Sequence, residues 1–152
     1  MGILRRPPSM YLAIAVALGV VALLLALANV TGLAVVLDIL VAATTFAAGY
    51  AARTRAGHPA WSGAGAGVAY GIVSGIGVFF HKVTASELKT ALEKTHRASP
   101  LSMSQLLAIS NSPGAHLGSL AVSSIFFGLL GLVLGAIAGA IAGGREQERR
   151  AV

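Results

Sequence analysis

Four apolar runs limit what this chain can fold into: residues 11–30, 33–52, 61–80 and 118–143. The first three are 20 residues long and the fourth is 26. An α-helix needs about 20 apolar residues to cross a hydrocarbon core of about 30 Å. Asp38 is the single charged residue in all four runs. A buried helix of a water-soluble protein is seldom so long and so free of charge. The expected fold is therefore all-α: a polytopic integral membrane protein with a four-helix transmembrane bundle. A short helical extracytoplasmic segment, residues 81–117, joins helices three and four, and 144–152 forms a cytoplasmic tail.

Composition agrees. Charged residues make up 11% of the chain, against roughly 25% in soluble domains. Mean hydropathy is +0.82. The net charge of +6 does not indicate nucleic acid, because the basic residues sit at the ends of the apolar runs, with no basic helix or aromatic platform among them. The absence of cysteine excludes disulfides, thiolate catalysis and cysteine-ligated metal centres.

Loop charges predict orientation. With the N-terminus inside, Arg5, Arg6, Arg53, Arg55, Arg145, Arg149 and Arg150 face the cytoplasm, and Lys82, Lys89, Lys94 and Arg97 lie outside. The excess of Lys and Arg in short inner segments favours cytoplasmic N- and C-termini, as in a prokaryotic cytoplasmic membrane. Tyr11, Tyr50 and Trp61 then fall at inner helix ends as an aromatic belt. A cleaved signal peptide competes for the first run, since Ala26, Leu27 and Ala28 resemble a cleavage site. The run exceeds the usual apolar length of about 7–15 residues for such a segment, which favours a retained helix.

The connections differ in kind. Asn29, Val30, Thr31 and Gly32 predict a tight outer turn, and residues 53–60 a short inner loop. In the segment 81–117, Thr84 with Glu87 and Ser102 with Gln105 fit capping boxes, which predicts two short helices separated at Ser99 and Pro100. Leu88, Ala91, Leu92 and Thr95 share a face of the first. Met103, Leu106, Leu107 and Ser110 line the second. Asn111, Ser112, Pro113 and Gly114 read as a turn.

Glycine is spaced in rows. Gly63, Gly67, Gly71 and Gly75 recur every four residues in the third run, and Gly131, Gly135, Gly139 and Gly143 in the fourth. Residues four apart share a helix face, and a face without side chains admits another backbone. In lipid, close packing replaces apolar burial as the main source of helix association. The rows predict that helices three and four pack on each other, or that one row meets a second copy of the chain.

Asp38 is the candidate polar site. An acid in hydrocarbon costs about 2.5–3.5 kcal/mol on insertion scales, so it is expected to face protein or a wet cavity. Ala34, Asp38, Ala42, Thr45 and Gly49 share a small or polar face. Asp38 lies five residues beyond Leu33, about 7–8 Å deep at 1.5 Å per residue. Ser74, Ser123 and Ser124 fall at similar depth, so a cluster of Asp38 with these hydroxyls is the expected intramembrane site.

Signals for catalysis are absent. The chain has no H-E-x-x-H, G-x-S-x-G or Walker loop, and no histidine has a partner at metal-ligand spacing. His81 and His116 are placed on the same side, where adjacent helices would bring their rings together. The reading favoured is a non-enzymatic membrane subunit or assembly factor without metal or cofactor. Its partners are the lipid bilayer and other membrane subunits or further copies of itself. A small oligomeric ion or proton transporter using Asp38 is the alternative. A surface-sensing envelope factor acting through the outer helices is a third.

Overall fold

The computed structural model describes the backbone of residues 7–28, 33–55, 57–95 and 100–150, and the side chains of all of these but 8, 34 and 145–150. The expected turn at 29–32 lies outside the described residues. Among them are six α-helices and no strand: α1 (Pro8–Leu27), α2 (Ala34–Arg53), α3 (Pro59–Gly75), α4 (Ala85–Thr95), α5 (Met103–Ser110) and α6 (Pro113–Arg150). A 3₁₀ turn, Ile76–Phe79, extends α3. The helices α1, α2, α3 and α6 are each long and apolar enough to cross a membrane. In this packing α2 ends and α3 begins at what we term the Arg53 end. The helices α4 and α5 occupy the opposite, loop end.

Proline opens three of the long helices, at Pro8, Pro59 and Pro113. The first N–H groups of a helix have no partner within it, so proline loses nothing there. At Pro113 the Ser112 hydroxyl also caps the helix, accepting from the Ala115 amide at 3.2 Å. The fourth long helix thus begins five residues before the expected 118. The stretch Ser112, Pro113 and Gly114 is a helix start rather than a free turn. Similarly α1 begins at Pro8 instead of Tyr11 and ends at Leu27. Residues 144–150, expected as tail, continue α6. Its 38 residues span about 57 Å at 1.5 Å per residue, well beyond a hydrocarbon core of about 30 Å.

The size order of the interior is reversed from that of a water-soluble bundle. Ala15, Ala48, Ala51, Ala66, Ala138 and Ala142 are fully buried or nearly so, and the largest fully buried side chains are Val41 and Thr45. Large aliphatics point outward, as Leu12, Val16, Val20 and Leu24 do on α1 and Val122, Ile125, Leu129 and Val133 on α6. Water would drive those side chains inward. Hydrocarbon would solvate them and leave small residues to form the close helix contacts. Tyr11 departs from the belt expected of it: it is buried with Ala15, Ala48 and Tyr70. Trp61 is 72% exposed.

Candidate functional site

The most extensive helix contact joins α3 to α6, and the glycine rows lie along it. A Cβ at Gly63 would strike the Gly131 carbonyl oxygen, and one at Gly67 the Phe127 carbonyl oxygen. At Gly71 it would come within 2.7 Å of Ser124 Cα, and at Gly75 within 2.7 Å of a Leu120 methyl carbon. From the other side, Gly135 would meet the Pro59 carbonyl oxygen at 2.5 Å and Gly139 the Pro59 ring at 2.6 Å. A Cβ at Gly143 would face Arg53 of α2 instead, at 3.4 Å from its guanidinium.

A third helix joins this contact. A Cβ at Gly49 on α2 would collide with the Gly135 backbone, so α2, α3 and α6 converge on Gly135. The stripe that α2 turns inward is Leu37, Val41, Thr44, Ala48 and Ala51, each 9% exposed or less. Its spacing of four, three, four, three is the seam period of packed helices. Thr44 and Thr45 satisfy their hydroxyls within the helix, donating to the Leu40 and Ala42 carbonyls at 2.7 and 2.9 Å.

Asp38 follows Leu37 by one residue, a turn of about 100° round the helix, and is exposed. It makes no hydrogen bond or ion pair among the described residues. The expected cluster with the serines does not form. Ser74 donates to the Tyr70 carbonyl at 2.8 Å and Ser124 to the Leu120 carbonyl at 2.8 Å, both within their own helices. Ser123 donates across the α3–α6 contact to the Gly71 carbonyl at 3.4 Å. The physical reason is rotational. Thr45 and Gly49 are buried, but nearer the loop end the inward stripe moves to Val41 and Leu37 and leaves Asp38 beside it.

At the loop end, polar contacts organise the segment between α3 and α6. The Thr84 amide donates to Glu87 Oε2 at 2.7 Å and the Thr84 hydroxyl to the same oxygen at 2.9 Å. The Glu87 amide returns a bond to the Thr84 hydroxyl at 3.3 Å. The other carboxylate oxygen, Oε1, lies 3.2 Å from His81 Nε2. These contacts hold the Glu87 carboxyl below its usual range, the Thr84 backbone bond foremost, then the Thr84 hydroxyl and the charge of His81. Ser102 and Gln105 form a full capping box on α5. Asn111 ties the two ends of the segment together, accepting from the Val83 amide at 2.8 Å and donating to the Val83 and Leu107 carbonyls at 3.1 and 3.0 Å.

The two histidines are engaged separately. His81 turns to Glu87, whereas the His116 ring packs edge-on against Phe79 with centroids 5.6 Å apart. Among the described residues no three His, Asp or Glu side chains are grouped closely enough to hold a metal ion.

Sequence reasoning placed Gly49 on the face of Asp38 and Asn111 and Ser112 in a turn, and missed the Gly49 contact with Gly135, the Asn111 tie to Val83 and the Ser112 cap. The signal for Ser112 was present in Ser-Pro before an apolar run. The 4–3 spacing from Leu37 to Ala51 would have shown that Asp38 lies off the inward stripe. Nothing local identifies Asn111, whose partner Val83 is 28 residues away. Compared with known proteins, the chain matches no family model, no curated relative and no solved structure.

Proposed function

We propose that the chain is a non-enzymatic integral membrane protein, a small subunit or assembly factor. Its glycine-lined helix contacts form a rigid core, and it meets its partner through the face of α2 that carries Asp38. The observation that carries this reading is Asp38 itself, exposed beside Val35, Val36 and Ile39. A carboxyl at that depth in hydrocarbon is unfavourable by about 2.5–3.5 kcal/mol on insertion scales. A neighbouring helix that offers a hydrogen-bond donor or a cation at the same depth removes that penalty. The solid α3–α6 contact supports a scaffold over a conduit within one chain, since backbone fills the space that a pore would need. The start of α1 and the end of α6 lie at the Arg53 end, and the excess of arginine in the flanking sequence supports reading that end as the cytoplasmic side of a prokaryotic membrane.

The test exploits the absence of cysteine. A single Ile39→Cys substitution permits cross-linking in native membranes, with mild-detergent purification alongside. The proposal expects a cross-linked partner at Ile39. It also expects Asp38→Leu to release that partner while the purified chain unfolds at an unchanged or higher temperature. A complex that survives Asp38→Leu intact would remove the proposal. Flux of protons or cations through liposomes that Asp38→Asn abolishes would replace it with the transporter reading.

A further inference from the structure

We infer that the cleft at the Arg53 end is a binding site for an anionic phospholipid, seating the phosphate on Arg53 and an acyl chain on α6. The inference rests on the reading of the four long helices as membrane spans. An open cleft of about 560 Å³ lies where α2, α3 and α6 meet, lined by Arg53, Pro59, Ala136, Gly139, Ala140 and Gly143 among others. Its origin is in the sequence. Where α6 runs past the first turn of α3, alanine and glycine leave nothing larger than a methyl group to fill the space.

Two features choose the occupant. First, the wall is apolar and small, and both Ala136 and Ala140 are exposed, so the α6 side of the cleft offers an apolar groove to an acyl chain. Second, among the described residues Arg53 is the one charged residue lining the cleft. Its guanidinium is exposed, lies over Gly143 and has no ion-pair partner among the described residues. Arginine binds phosphate through paired hydrogen bonds, and basic pockets between membrane helices hold anionic headgroups. The start of α3 adds to the attraction. His58 supplies no side-chain cap there, so the free N–H groups of the first turn favour negative charge. A free anion would use Arg53 but leave the apolar groove empty, and a zwitterionic lipid would use the groove but leave the cation without a net counter-charge. An anionic lipid uses both.

The test is native mass spectrometry of the detergent-solubilised full chain, titrated with phosphatidylglycerol and, separately, phosphatidylcholine of the same acyl chains. Phosphatidylglycerol should bind at least severalfold more tightly. Arg53→Gln should weaken it about tenfold, the scale of one charge-assisted contact, and bring the two lipids level. Ala140→Phe fills the groove and keeps the arginine, and should weaken both lipids. Thermal unfolding of each lipid-free variant should match the parent. Equal binding of the two lipids by the parent chain, or full phosphatidylglycerol binding by both folded variants, would overturn the inference. So would displacement of the lipid by millimolar inorganic phosphate, which would assign the site to a free anion. Recovery of the chain in the aqueous fraction without detergent would remove the membrane reading itself.

Discussion

Gly63 of α3 and Gly131 of α6 meet backbone to backbone: a Cβ on either would collide with the carbonyl oxygen of the other. The collision is reciprocal and involves no flexible side chain, so neither helix can yield without moving as a body. Gly65, two residues away on the same helix, has nothing within 4 Å of its Cβ position. The pair provides an internal comparison. Gly63→Ala should destabilise the bundle by roughly 1–3 kcal/mol, the range for overpacking. Gly65→Ala should stabilise it by about 0.5–1 kcal/mol through helix propensity. Thermal unfolding of both variants in one detergent measures the contrast.

Ser123 tests whether hydrogen bonding or close approach holds α3 to α6. Its bond to the Gly71 carbonyl is long, at 3.4 Å. Ser123→Ala should therefore cost no more than about 0.6 kcal/mol, the average for such bonds between membrane helices. Gly71→Ala presses on the Ser124 backbone and should cost more. A Ser123→Ala loss equal to that of Gly71→Ala in the same unfolding assay would contradict this order.

The start of α4 should depend on pH. The Glu87 carboxyl in the folded chain lies below its ordinary value of 4.5. Its stabilising effect is thus complete above pH 4.5 and is lost as pH falls through the lower, folded value. The Thr84 amide, which donates to Glu87, reports this directly. Its NMR shift should titrate with a midpoint below 4.5 in the parent and stay flat in Glu87→Gln.

Asn111 should govern the integrity of the loop-end segment. Replacing it with alanine leaves the Val83 amide and carbonyl without their partner, a loss of about 1–3 kcal/mol when such groups are sheltered from water. The expected outcome is faster proteolysis between Lys82 and Ser112, with little change in unfolding of the long helices. Equal cleavage rates in Asn111→Ala and the parent would show that the clasp contributes nothing.

Much of this architecture is legible along the chain because its causes are local. Hydropathy over 20 residues marks each long helix, and the capping boxes at Thr84 and Ser102 need only three residues of separation. The prolines at 8, 59 and 113 mark helix starts for the same reason, although the apolar runs alone placed those starts too late. Asp38 was legible as the one charged residue among the apolar runs, but its surroundings were not.

The sequence by itself determined which segments are helical and which faces are free of side chains, since both follow from composition and the 3.6-residue period. Only the tertiary structure decided that Gly49 joins the two glycine rows at Gly135, that Asn111 reaches Val83, and that Asp38 looks outward. Those outcomes depend on how far each helix is rotated about its own axis. That rotation is a compromise among all the helices packed together, and no single segment encodes it.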